Sequence, residues 1–180
     1  MKYLRFRQRV IGLFVVGLCL VTANLSAQGK YSFDLDVPAA RSSFWKVEDV
    51  GMATRLAADL EIPELRRDSQ WNSTFQVALG QGDRIVALMF IRESGKDTLS
   101  VSVRATEGDK VLGQHSIDGW KPKKGDRFQV QMDWSNVGIL AVTSNGQDRG
   151  RFRLELVPHS VTIAASTGQL VGHSVSLIAK

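Results

Sequence analysis

Hydrolysis of a glycosidic bond needs two carboxyl groups flanking it, about 5–5.5 Å apart for retention or about 6.5–9.5 Å for inversion. On a β-strand that means acids at alternate positions, because residues i and i+2 share a face. The acidic clusters of this chain are Asp34/Asp36, Glu48/Asp49, Asp59/Glu61/Glu64 and Glu107/Asp109. Asp34 and Asp36 alternate with Tyr31, Phe33, Leu35 and Val37, so they read as the solvated side of a strand. Glu107-Gly108-Asp109 is turn chemistry. Asp133 is the strand carboxylate best placed to act, facing away from Trp134, but its same-face neighbours are Gln131 and Ser135. A partner would have to come from another strand, with Glu155 as the candidate. The expectation is a protein that hydrolyses no glycan.

Other reaction classes find equally little. His115, His159 and His173 are mutually distant in sequence, so no zinc site is built from local ligands. No Gly-x-Ser-x-Gly elbow is present. No cofactor is expected; a structural calcium held by the loop carboxylates Asp109, Asp118, Asp126 and Asp148 is the one metal left open. Binding chemistry has better candidates. An exposed indole gives a sugar ring an apolar platform, while amides and guanidinium groups supply directional hydrogen bonds. Trp71 with Asn72 and Gln76 forms one such set, and Trp120 beside Asp118 another. Arg149, Arg151 and Arg153 would share a strand face and, with Arg104 or Lys110, could line a cationic groove with Arg151 at its centre. Against these readings, Trp71 and Trp120 would serve equally as plugs for the ends of a sandwich, and alternating arginines as its wet face.

Of the 23 lysines and arginines, Lys2, Arg5, Arg7 and Arg9 stand directly before the apolar run Val10–Val21. Basic, apolar and then small residues are the three parts of a secretory signal. Leu25-Ser26-Ala27 is the preferred cleavage site and Val21-Thr22-Ala23 the alternative. Residues 1–27 are therefore expected to be a leader, with an apolar core too short for a comfortable span of about 20 residues and so no stable transmembrane anchor. Without them 19 basic residues face 18 acidic ones. That near-neutral balance, together with export, argues against nucleic acid as a partner; Trp120-Lys121-Pro122-Lys123-Lys124 reads as a solvated loop. Cys19 is the only cysteine, so the exported chain can form no disulfide. Leu18 before it does not suit a lipoprotein site. A cysteine-free secreted domain points to a bacterial protein in the periplasm or outside the cell.

Residues 28–180 read as one domain. Period-two alternation recurs in Leu56–Ile62, Phe75–Leu79, Leu99–Val103, Phe128–Trp134, Phe152–Leu156 and Val161–Ala165. Ile85 to Ile91 is apolar at almost every position, as in a central strand covered on both faces. Gly80–Asp83, Ser94–Asp97 and Ser144–Gln147 are turns. Gly51 to Leu60 fits a helix with Met52, Leu56 and Ala57 on one face, or in its second half a strand. Trp134 belongs to the core, Trp45 is half-buried, and Trp120 sits in a turn with little to bury. The fold expected is all-β, an antiparallel β-sandwich.

Three segments carry a family likeness. Trp71–Gly80 is followed by the strand from Arg84 to Arg92; Arg127–Ser135, ending in Trp134, by Gly138–Gly146; and Thr162–Gly168 closes the series. This order resembles the hairpins of the concanavalin A-like lectin/glucanase superfamily, including laminin G-like modules. The resemblance implies a jelly roll and a glycan as ligand. It does not extend to the Glu-x-Asp-x-Glu type of strand that the glucanases of that fold carry. The expected function is non-catalytic binding, of glycan first; the alternatives are an envelope structural or protein-interaction domain and a diverged glycan-cleaving enzyme, and the oligomeric state is not encoded legibly. If the leader is removed as expected, intact-mass measurement of the exported protein will give an N-terminus at or close to Gln28. An N-terminus at Met1 with retention in the membrane would contradict this reading.

Overall fold

The computed structural model describes residues 30–67 and 72–180; the expected leader lies outside them. Ten strands follow one another without a helix among the described residues. They are β1 (Lys30–Val47), β2 (Ala53–Leu65), β3 (Thr74–Gln81), β4 (Arg84–Arg92), β5 (Leu99–Glu107), β6 (Lys110–Ser116), β7 (Arg127–Asp133), β8 (Ile139–Ser144), β9 (Gln147–Arg153) and β10 (Ser160–Ala179). Every pairing is antiparallel. No helix of the described residues is long and apolar enough to cross a membrane.

The hydrogen-bonded order is β6-β5-β4-β3-β10-β2-β7-β8-β9, with β1 also on β10. β10 divides this ladder into two layers. Its residues 160–166 pair with β3, and from Gly168 onward it pairs with β2. β1 follows it round the corner: 42–47 lie along the first part and 30–37 along the second. The first layer thus runs β6-β5-β4-β3-β10-β1 and the second β1-β10-β2-β7-β8-β9. Thr167 takes φ 54° and Ala40 φ 58° at the corner. The Ala40 N–H donates to the Thr167 hydroxyl (3.2 Å), and the buried Ser73 hydroxyl lies within hydrogen-bond reach of the carbonyls of Thr167 (2.5 Å) and Arg66 (2.9 Å). A Cβ on Gly168 would stand 2.9 Å from the Glu64 carbonyl, so only glycine fits where β10 passes β2.

Alternation decides the core. Leu56, Leu60, Ile62, Val77, Leu79, Leu88, Val130, Met132, Leu140, Val142, Val161 and Ile163 are all inward and fully buried. The segment from Gly51 that could have been a helix is turn and strand. A helix would have buried Met52, which is 84% exposed, whereas the strand buries Leu56, Ala58, Leu60 and Ile62 together. Trp45 is half-buried and packs on Tyr31 and Phe33, as its context suggests.

Trp120 corrects the expectation that it has little to bury. It is 6% exposed and sits edge-on to Phe90 (5.3 Å) in one layer and Phe128 (5.8 Å) in the other. Its loop crosses from β6 to β7 over the end of the sandwich. Gly119, at φ 74°, turns the chain so that the indole points inward. Trp134 is inward too, and its Nε1–H donates to the Ala53 carbonyl (2.9 Å). Trp120→Ala and Trp134→Ala should therefore each lose roughly 3–5 kcal/mol of stability in urea unfolding. A wild-type midpoint for Trp120→Ala would show that the indole is no plug.

Candidate functional site

The outward faces of the two layers differ in kind. On the second layer, acids are held by partners on neighbouring strands. Arg127 forks onto Asp59 (2.9 and 2.7 Å), Arg55 holds Asp133 (2.7 Å), His173 meets Glu61 (2.6 Å) and Gln169 reaches Asp34 (2.9 Å). Hydrogen bonding from Arg127 lowers the pKa of Asp59. For Asp133, partial burial works upward, but hydrogen bonds from Ser135 and Arg55 prevail and hold the carboxyl below its ordinary value. Asp133 does face away from Trp134 as expected, yet it is an ion-paired structural carboxylate. Glu155 pairs with Arg153 (2.7 Å).

The outward face of the first layer carries no carboxylate on its strands. Register places its side chains in rows across the sheet. One row is Gln114, Arg104, Ala87, Ala78, Thr162 and Lys46; the next is Ser116, Ser102, Met89, Gln76, Ala164 and Phe44. Ala78, Ala87 and Met89 form an apolar cluster of their own on this face, with Ile91 against it, separate from the main core. The uninterrupted apolar run of β4 is thereby explained: Val86, Leu88 and Phe90 enter the core, and Ala87 and Met89 make a floor on the other side. No further strand layer of described residues lies over these three, yet all are buried, at 4%, 4% and 8% exposure, so neighbouring side chains of the same face close over them.

Arg104 stands beside this floor, half-buried, between Ala87 and Gln114. Its Nε is buried and has no hydrogen-bond partner among the described residues. The Nε is closed to solvent, so the outer N–H groups of this half-buried guanidinium are the donors an incoming acceptor would meet. Gln114 donates from Nε2 to the Ser102 hydroxyl (3.2 Å), which fixes a second polar group next to it. At the other end of the second row Phe44 is 48% exposed. Four strand spacings separate it from the Arg104 strand, about 19 Å.

The residues expected from the sequence scatter. Gln76 stands on this face, in the row of Met89. Asn72 lies exposed just before β3, with its carbonyl within hydrogen-bond reach of the Thr74 hydroxyl (3.2 Å). Trp71 lies outside the described residues. Trp120 is removed from the set by its burial between the layers. Arg151 is exposed on β9, at the edge of the second layer, away from Gln76. Nor do the three arginines of β9 share a face. A bulge between Asp148 and Gly150 turns Arg149 inward, where its guanidinium lies 5.2 Å from the centre of the Trp120 ring. Among the described residues no three His, Asp or Glu side chains converge on a metal position. Asp126 and Asp148 instead accept backbone N–H groups of their own loops, from Lys123 and Gly150. Met89 and Phe44 were missed, and Arg104, expected beside the β9 arginines, lies in the other layer from them. The signal for them was the double-sided apolar run of β4 and the arginine that breaks the Ser-Val alternation of β5.

No protein-family model matches the sequence, and no curated protein matches it. Solved structures match its fold. A galectin from Caenorhabditis elegans superposes with TM-score 0.54 at 20% identity, over 81% of this chain and 95% of that one. Congerin II, solved with lactose and MES, gives TM-score 0.57 at 12% identity over 76% of this chain and 100% of its own. A glycosidic hydrolase gives 0.58 at 12% identity, over 88% of this chain and 87% of that one. At these identities the likeness is one of fold: an all-β jelly roll of the concanavalin A-like lectin kind, as the order of strands and turns implied.

Proposed function

We propose that the protein is an exported, non-catalytic glycan-binding module whose ligand lies across the outward face of the first layer. The observation that carries this reading is the half-buried Arg104, which has no ion-pair partner among the described residues, on a face it shares with Gln76, Ser102 and Gln114. A sugar offers hydroxyl acceptors and apolar C–H faces together, and this surface meets both. Arg104, Gln76 and Gln114 hydrogen-bond hydroxyls, and the exposed Phe44 stacks a ring at the end of the row. Congerin II with lactose lends this reading support from a protein of the same fold. The lack of a carboxylate on the strands of this face supports binding over hydrolysis, because two flanking acids are required for the latter. The glycosidic hydrolase of similar fold keeps cleavage as the rival reading. A protein ligand on the cell envelope is a second reading, favoured by the exposed Met52, Val137 and Val157 around a hollow at the other end of the sandwich.

A glycan array followed by calorimetry on the best ligand tests the proposal. Arg104→Ala should weaken binding about 10-fold to 100-fold, the range for losing one charge-assisted hydrogen bond. Arg151→Ala should leave it unchanged. Failure of the wild-type protein to bind any glycan, or equal losses in both variants, would overturn the assignment. Release of reducing ends from a bound glycan would replace it with the hydrolytic reading.

A further inference from the structure

At the side where β6 and β9 end the two layers, the sandwich is not closed by its own side chains. A slot of about 250 Å³ opens there between Val86 and Val103 of the first layer and Phe152 and Leu156 of the second, with His115 at its mouth. Small residues leave it empty. Ala105 and its cross-strand partner Gly113 hold inward positions where a large side chain would fill the space. A Cβ added to Gly113 meets no atom within 4 Å, and the residue's backbone does not require glycine.

An apolar cavity of about 150 Å³ accepts benzene, so by proportion this slot takes about ten non-hydrogen atoms. Its rim is closed by two ion pairs, Arg84 with Glu107 and Arg153 with Glu155, both at 2.7 Å. Each rim charge is already matched. The rim is thus net neutral and gives a charged head no Coulombic gain to offset its lost hydration, whereas a hydroxyl can bond at the mouth to Thr106 or His115 without disturbing either pair. We propose that this slot is a second binding site, taking a neutral amphiphile with an alkyl chain of about eight carbons inside and a hydroxyl-type head at the rim. It uses inward-facing residues between the layers, so it stands or falls independently of the glycan face.

Thermal unfolding at pH 7 with 1-octanol or octanoate, on the wild type and on Gly113→Leu, tests it. Saturating 1-octanol should raise the wild-type Tm by about 5 °C. Octanoate should give less than half that shift, and Gly113→Leu should lose the response because its side chain occupies the slot. Should Gly113→Leu fail to fold, Ala105→Leu fills the same space from the neighbouring strand. Absence of a shift with 1-octanol, an equal shift in the filled variant, or a larger one with octanoate would each overturn the proposal.

Discussion

The two layers of this protein share a strand, and the rest of the architecture follows from where that strand bends. β10 leaves β3 at Ser166 and joins β2 at Gly168, so a single backbone supplies ladder hydrogen bonds to both layers. The bend needs a left-handed residue at Thr167, a position without a side chain at Gly168, and partners for the backbone groups freed in between. Ser73 and the Thr167 hydroxyl supply those partners from inside the corner. Buried polar groups are costly when unpaired, and this small network allows apolar layers to meet at a corner without orphaned amides and carbonyls. β1 then has to turn at the same level, and Pro38, which has no amide to donate, lies in the irregular stretch between its two registers.

A sandwich has two outward faces, and the chain treats them differently. On the second layer Arg55 and Arg127 each lie against an acid of the neighbouring strand and Glu61 lies against His173, while Arg151 on β9 has no acid partner among the described residues, so most of this face's acids are already engaged. On the first layer Lys46 alone of the two cations in its rows has such a partner, Glu48 just past the end of β1 (2.9 Å). Serine, threonine, glutamine and alanine cover most of it, and Arg104 has no acid within reach to hold its Nε. Unused polar capacity beside apolar surface is what distinguishes a face that can receive a ligand from one that only keeps the protein in solution.

The open end of the sandwich is managed by aromatic packing. Trp120 touches one ring from each layer, and the bulge in β9 brings the Arg149 guanidinium over its face. Aromatic edges meeting faces, with a cation on the remaining face, use the ring quadrupole on each side. Around the same loop, Glu93 accepts from Lys96 and Lys121, which hold its carboxyl down to about 2. The plug at this end contrasts with the unfilled slot between β6 and β9, where Ala105 and Gly113 put nothing in the gap.

The strands, most of their turns and the inward set of residues were legible in the sequence, because a period of two with one buried face is a local property that each segment carries by itself. Ser144-Asn145-Gly146-Gln147 could be read as a tight turn without knowing what it joined, and the structure gives Asn145 and Gly146 the positive φ angles such a turn needs. Gly51 to Leu60 was ambiguous for the same reason, since a short apolar segment satisfies both periods until a partner strand selects one. The candidate site was legible only in Gln76. Whether Trp120 faces solvent or the core depends on which strands its loop bridges, and whether Arg149 lies beside Arg151 depends on a one-residue bulge; neither is local. Arg104 was legible only as a companion of the β9 arginines, and the register sets it instead beside Ala87 and away from every acid. Side-chain type is written along the chain, but isolation from a counter-charge and the company of a second apolar cluster are properties of neighbours far apart in sequence, and tertiary structure alone decides them.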